Sequence, residues 1–212
     1  MMTILKEVEG FVAKYDEEGK LHSTYGPALI FDNGDEFWYW HGQLHNANGP
    51  AVQREDEHIE YWIFGEKHRE HDLPAVIRSS GTEEWWWYNK KHRENDQPAV
   101  RRSNGNLEWW FNGVRHRNNN PAWIKMIDNQ FFAHEYWDNG VKHRAAGPAF
   151  EDVLGNKEHW YAGKLHNVED AAVFYADGTK YWYEFGNKIK RFEPKRTVKF
   201  KEITCFFSID LL

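Results

Sequence analysis

Seven histidines recur at nearly constant spacing along the chain, and this spacing constrains the fold more than any other feature. The intervals between them are 23, 23, 24, 24, 27 and 23 residues. The seven are His22, His45, His68, His92, His116, His143 and His166. Each is followed after five or six residues by Pro-Ala or, in the last unit, by Ala171-Ala172. Such a period is typical of a tandem array, in which one small supersecondary unit stacks on copies of itself.

A single unit has the pattern of two short strands around a turn. Between Pro98 and His116, the dipeptide Asn104-Gly105 separates an Ala-Val arm from a Trp-Trp-Phe arm. Asn-Gly is the strongest local hairpin signal, and no window shows a helical period. We therefore predict an all-β fold, an elongated and twisted antiparallel meander of about eight β-hairpin repeats that is capped at both ends.

A second turn precedes each histidine and is expected to connect one hairpin to the next. Gly or Asn occupies it, which predicts a positive φ there. These residues are Gly19, Gly42, Gly65, Asn89, Gly113, Gly140, Gly163 and Gly186. Four extra residues lie between Pro121 and His143. We expect them to lengthen one hairpin by two residues on each arm, because an odd insertion in a strand would reverse its faces.

The domain organisation follows from where the repeat begins and ends. We expect an N-terminal cap over residues 1–14, the repeat array over 15–189, and a basic segment with a capping strand over 190–212. In that last segment, apolar residues alternate with others: Ile203, Cys205, Phe207, Ile209 and Leu211. The same strand could instead form a homo-oligomer or contact a membrane surface through its open edge, although the basic run is short for membrane binding.

The bulk composition narrows the classes of function. A formal net charge of -6 argues against general nucleic-acid binding, which needs a basic surface. One cysteine allows no intramolecular disulfide and fits a reducing compartment. No signal peptide and no apolar run of membrane-spanning length is visible. We therefore expect a soluble, cytoplasmic protein.

The repeated histidines are expected to be structural. Equivalent positions in neighbouring hairpins lie roughly 9.6 Å apart, too far for two of them to share one metal ion. We expect each histidine to bond to a neighbouring turn or to an acidic column, and we expect no metal or other cofactor. That column is Glu60, Glu84, Glu108, Glu135 and Glu158. No nucleophile motif or phosphate loop is present, so we predict that the chain is not an enzyme.

Aromatic residues form columns at fixed distances before each histidine. The seventh and sixth positions are aromatic in nearly every unit, and the fifth carries an apolar stripe that is continuous only from Trp40 to Phe111. Trp, Tyr and Arg are the usual residues of interface hot spots. We therefore predict a protein-binding surface centred on the second to fourth units: Trp62, Trp85, Trp87, Trp109, Phe111, Arg93 and Arg117.

The repeat resembles the MORN repeat family, in a divergent His-Arg-x-x-Gly-Pro-Ala form of phage and giant-virus type. The best copies are 112–117, Asn-Gly-Val-Arg-His-Arg, and 139–144, followed by Gly147-Pro148-Ala149. The resemblance covers residues 11–189 and implies β-hairpin repeats that act as a protein-binding scaffold. Viral or phage origin, which the resemblance also implies, would fit an inhibitor of a host defence system.

The alternative is a module that binds a small ligand. Aromatic-rich hairpin repeats that resemble this chain cage sugars or choline, and aromatic faces attract cations. A sugar, choline or a nucleotide is therefore the competing class of partner.

Overall fold

The computed structural model describes residues 4–194, and over that range every regular element is a β-strand. All strand pairs are antiparallel. None of these residues forms a helix that could cross a membrane. The all-β prediction is confirmed.

The larger part of the chain forms one sheet of 17 strands. Each strand pairs with the preceding and following strand of that sheet, so the sheet is a meander in chain order. Its strands are β1 (Ile4–Val8), β2 (Phe11–Tyr15), β3 (Leu29–Phe31), β4 (Glu36–Phe37), β7 (Val52–Gln53), β8 (Ile59–Glu60), β11 (Val76–Ile77), β12 (Glu83–Glu84), β15 (Val100–Arg101), β16 (Leu107–Glu108), β19 (Trp123–Ile127), β20 (Gln130–Glu135), β23 (Phe150–Asp152), β24 (Lys157–Glu158), β27 (Val173–Phe174), β28 (Lys180–Glu184) and β29 (Asn187–Phe192).

The remaining strands form six separate two-stranded hairpins. They are β5 (Tyr39–Trp40) with β6 (Gln43–Leu44), β9 (Trp62–Ile63) with β10 (Glu66–Lys67), β13 (Trp86–Trp87) with β14 (Lys90–Lys91), β17 (Trp110–Phe111) with β18 (Val114–Arg115), β21 (Trp137–Asp138) with β22 (Val141–Lys142), and β25 (Trp160–Tyr161) with β26 (Lys164–Leu165).

The second arm of each predicted hairpin is divided by a bend. As expected, β15 and β16 pair around Asn104-Gly105. The chain then leaves the sheet at Trp109, whose N–H donates to the Ala122 carbonyl at 2.8 Å while its own carbonyl accepts from His116. The aromatic segment that follows therefore belongs to a short hairpin of its own. The expectation that it continues the sheet strand is wrong.

The short hairpins form a second row beside the main sheet. In a meander, every second strand runs in the same direction, so all hairpins leave the sheet along the same side. Neighbouring hairpins are also joined by backbone hydrogen bonds, such as the 2.9 Å bonds from Gly113 N–H to the Lys91 carbonyl and from Gly140 N–H to the Arg115 carbonyl. The repeat is thus a sheet hairpin followed by a row hairpin.

In six repeats the second turn closes a row hairpin instead of connecting hairpins of the main sheet, whereas the turn at Gly186 joins β28 to β29 of the main sheet. Gly113 has φ 85° and the preceding Asn112 has φ 50°, the pattern of a two-residue type I′ turn. The predicted positive φ is confirmed at every such position: Gly19, Gly42, Gly65, Asn89, Gly113, Gly140, Gly163 and Gly186.

The four extra residues after Pro121 do lengthen a sheet hairpin. β19 and β20 span five and six residues around a tight turn at 128–129. Their register shifts between Lys125 and Met126, where Phe132 bulges out of the pairing. The expected even division between the two arms is therefore wrong, because one residue is absorbed by a β-bulge.

The ends of the array show how the repeat begins and stops. At the N-terminal end, β2 occupies the position of the second sheet strand of a repeat. The Lys14 N–H donates to the Ala28 carbonyl in the same way as the Trp109 N–H donates to the Ala122 carbonyl. The predicted boundary at residue 14 thus falls inside a strand. At the other end, β28 and β29 complete the described sheet. The predicted capping strand at 203–211, with Cys205, lies outside the described residues.

The core lies between the main sheet and the row of short hairpins, and it consists largely of small residues. The alanine of each Pro-Ala pair is fully buried, and the following valine is buried in several repeats. The alanines are Ala28, Ala51, Ala75, Ala99, Ala122, Ala149 and Ala172. A small side chain lets the two layers approach closely at the bend, which explains why alanine recurs there.

Candidate interaction surface

The face of the row that looks toward the sheet carries alternating tryptophans and cations. Trp86 lies between Lys67 and Lys91, with Nζ atoms 5.1 and 5.3 Å from ring centroids. The same order continues through the next repeats: Trp62, Lys67, Trp86, Lys91, Trp110, Arg115, Trp137, Lys142 and Trp160. We call this set the inner ladder.

Each rung of the inner ladder is bound to the acidic column. Glu108, 2% exposed, accepts hydrogen bonds from Trp110 Nε1 at 3.0 Å, Arg115 Nη2 at 2.8 Å and Arg102 Nε at 2.7 Å. Burial alone would raise the pKa of Glu108, but the bonds from Arg115 and Arg102 outweigh it, so the pKa is lowered. The acidic column thus holds tryptophans and cations of the row.

The cations of the inner ladder were not singled out in the sequence, although the chain itself contains the signal. Where the sheet strand ends in glutamate, a lysine or arginine usually stands immediately before the histidine: Glu60 with Lys67, Glu84 with Lys91, Glu108 with Arg115 and Glu135 with Lys142. Where it ends in Phe37, the corresponding residue is Leu44. Glu158 is the exception, since Leu165 stands before His166, so the covariation among repeats marks this contact in four of the five repeats with glutamate.

The repeated histidines bond to the turn of the next repeat. His92 Nδ1 accepts from Asn112 N–H at 3.1 Å. The same bond is made by His22, His45, His116, His143 and His166. In several repeats, the ring also stacks on an aromatic residue in that turn, as His45 does on Phe64 at 4.0 Å. Each histidine therefore ties one hairpin to its neighbour.

His68 departs from this pattern. It is buried, stacks on Tyr88 at 4.2 Å and meets Trp87 edge-on at 4.4 Å. Neither of its ring nitrogens has a hydrogen-bond partner among residues 4–194. Burial lowers the pKa of His68, which favours the neutral ring.

Four of the residues predicted to bind a partner form two arginine–tryptophan stacks that are separate from the inner ladder. Arg93 lies 3.8 Å over the Trp85 ring and donates to Asp72 of the preceding loop through Nε and Nη2, at 2.7 and 2.9 Å. Arg117 makes the same contacts with Trp109 and Asp96. The tryptophans are 5% and 6% exposed. Trp85, Trp109, Arg93 and Arg117 are therefore already engaged within the protein, which leaves little of them for a partner.

The other predicted residues are divided between the two faces of the row. Trp62 belongs to the inner ladder, where its Nε1 donates to Glu60 at 2.7 Å. Trp87 and Phe111 lie on the opposite face and are 48% and 43% exposed. On this face, exposed aromatic residues alternate with the repeated histidines. We call Trp40, Trp87, Phe111 and Tyr161 the outer row.

Turn residues extend the outer row. Phe64, Tyr88 and Phe185 are exposed and stack on His45, His68 and His166. Their rings are held in place by that stacking and by the type I′ turn. The surface is thus a preorganised strip of rings.

Open grooves lie beside the strip, between the loops of successive repeats. One has a volume of 450 Å³ and is lined by Asn46, Tyr61, Arg69 and Tyr88, among others. Similar grooves follow in later repeats. The arrangement of the grooves repeats with the array.

Comparisons with known protein families and with curated proteins find no match for this chain. The fold and the surface therefore define the class on their own, an all-β array of paired hairpins. The MORN-like assignment remains a prediction from the repeat pattern.

Proposed function

We propose that this chain is a non-enzymatic scaffold that binds another protein through the outer row. The observation that carries the proposal is the exposure of Trp87 and Phe111 on hairpins whose opposite face is anchored by the inner ladder. Large aromatic side chains held rigidly at a surface lose little entropy on binding, which is how interface hot spots contribute affinity. An array of such rings suits an extended partner surface.

The inner ladder argues against the small-ligand alternative. A cage for choline or a sugar needs free aromatic faces. Those of Trp86 and Trp110 are covered by the protein's own cations, Lys67, Lys91 and Arg115. No two of Trp40, Trp87, Phe111 and Tyr161 belong to the same repeat, which favours a broad surface over a closed cage. A viral inhibitor of host defence remains an expectation from the resemblance alone.

The test compares the wild-type chain with a Trp87→Ala/Phe111→Ala double variant. Proteins captured from a cell lysate by the wild-type chain are identified, and the purified partner is titrated by calorimetry. We expect the double variant to lose at least ~10-fold in affinity, because two hot-spot rings are removed. Tyr25→Ala serves as the control, since Tyr25 is 88% exposed on a loop outside the outer row.

Equal affinity of the wild-type chain and the double variant would refute the proposed surface. A second measurement follows tryptophan fluorescence during titration with sugars, nucleotides and choline. A saturable change, with no protein captured, would establish the small-ligand alternative instead.

A further inference from the structure

The first repeat contains a cluster of three metal-ligating side chains that no other described repeat has. Asp16, His22 and His41 each offer one ligand atom, and these three atoms lie within 4.8 Å of one another. Asp16 and His22 are each 1% exposed, whereas His41 is about a third exposed. A mixed carboxylate and imidazole set is the kind that zinc uses at sites with an open coordination position.

One ring nitrogen of the cluster has no hydrogen-bond partner among the described residues. His22 Nδ1 accepts from His41 N–H at 3.2 Å in the tautomer that carries its proton on Nε2. Metal binding through Nε2 therefore requires the other tautomer, which gives up this hydrogen bond. That atom, His22 Nε2, is buried and has no hydrogen-bond partner within residues 4–194. A buried polar atom without a partner costs free energy, and a bound ion would remove that cost.

Asp16 is held in position by its backbone surroundings. Its Oδ1 accepts from Glu18 N–H at 3.0 Å and Lys20 N–H at 2.9 Å, which leaves Oδ2 directed to His41 Nδ1 at 2.6 Å.

We propose that Asp16, His22 and His41 bind one divalent transition-metal ion of the zinc class, with water completing the coordination. Zinc accepts such a set in tetrahedral geometry, where neighbouring ligand atoms lie about 3.3 Å apart. His41 must therefore move away from Asp16 Oδ2 by less than about 1 Å, and a pair of ligand atoms near the 4.8 Å limit must approach by about 1.5 Å. It is the exposed member of the cluster, so it can make that movement.

The next repeat shows why the site occurs once. The position of Asp16 is taken there by Trp40, that of His22 by His45, and that of His41 by Phe64, which stacks on His45. The backbone arrangement is the same, but two of the three ligands are absent. The metal would join the first turn to the second repeat at the beginning of the array. The site is independent of the protein-binding proposal.

The test is titration of the metal-free full chain with zinc chloride, in competition with a chromophoric chelator. We expect one equivalent to bind more tightly than the rest, and Asp16→Asn and His41→Phe each to weaken it by at least ~10-fold, since each removes one of three ligands. His41→Phe copies the residue at 64 and 185 of the same turn, so the fold should tolerate it. His71→Gln is the control, because His71 is exposed and outside the cluster.

Thermal unfolding provides a second readout. Zinc should raise the melting temperature of the wild-type chain and of His71→Gln, because the ion binds only the folded site, and should raise that of His41→Phe clearly less at the same zinc concentration. Circular dichroism without metal reports whether the variants fold. Equal zinc affinity in the wild-type chain and His41→Phe, or an equal loss in His71→Gln, would overturn the proposal.

Discussion

The two faces of the hairpin row place neighbouring aromatic residues in opposite environments. Trp86 lies in the inner ladder, between two lysines and bonded to Glu84 at 3.1 Å, whereas Trp87 is about half exposed in the outer row. The cause is the alternation of side chains along a strand. Residues of the same type, adjacent in the chain, thus lie on opposite faces, one packed against the protein's own cations and the other open to solvent.

The largest contrast is expected between a buried aromatic residue of the bend and an exposed one of the outer row. Trp109→Ala removes a buried ring together with its stack on Arg117, so we expect a loss of about 3–5 kcal/mol in unfolding free energy. Phe111→Ala should cost less than about 1 kcal/mol, because its ring is half in water already. Denaturant unfolding of both variants measures the difference. Similar losses for both would show that the two faces are not distinct.

The inner ladder can be tested through its charge. Glu108→Gln keeps the shape of the side chain but leaves Arg102 and Arg115 without their buried counter-charge, so we expect a loss of about 2 kcal/mol. Glu55→Gln, an exposed change on a loop of the main sheet, should have little effect. If Glu108→Gln is as stable as the control, the ladder contributes packing alone.

The fold was largely predictable because it depends on local signals. Asn104-Gly105 predicts a hairpin, and Gly113 predicts a positive φ, whatever lies around them. The bend at Trp109 was not predictable in the same way. Its position depends on hydrogen bonds to Ala122 and His116, and in the sequence Trp-Trp-Phe simply looks like one continuous strand.

The candidate surface was predictable only in part. The sequence singled out Trp87 and Phe111, which the structure exposes, together with Trp85 and Trp109, which it buries. Burial of the last two depends on an arginine delivered by the loop after the next histidine, a contact that strand alternation alone does not reveal. The aromatic content of the sequence indicated the region of the surface, but which of its rings are exposed depends on tertiary contacts.

A smaller effect should appear as a dependence of stability on pH. Burial lowers the pKa of His68 from its ordinary value of 6.5 in the folded chain. The unfolded chain therefore takes up the proton first, and stability falls as the pH drops below about 6.5, by at most ~1.4 kcal/mol per pH unit for each such histidine. Above that pH, the contribution of the neutral ring is fully present.

His68→Phe isolates this contribution. Phenylalanine keeps the stack on Tyr88 and removes two buried nitrogens without partners among the described residues, so we expect a gain of about 1 kcal/mol at pH 7. The decline between pH 6.5 and 5 should also become shallower than in the wild-type chain. His71→Gln, at an exposed side chain, is the control. An unchanged slope in His68→Phe would mean that other groups set the acid sensitivity.

The smallest effect concerns the turns that close the row hairpins, where residues other than glycine adopt a positive φ. Ala162 has φ 47° without an aromatic ring to stack on His143, so it bears the strain of a left-handed conformation uncompensated. Ala162→Gly should relieve this strain, but glycine also raises the conformational entropy of the unfolded chain, which offsets part of the effect. We therefore expect the free energy of unfolding to rise by about 0.5 kcal/mol. Phe64→Gly should have the opposite sign, because it also removes the 4.0 Å stack on His45, and such aromatic pairs contribute about 0.5–1.5 kcal/mol. Thermal unfolding of the two variants in parallel distinguishes them, and a shift of the same sign in both would show that the stacked ring does not stabilise the turn.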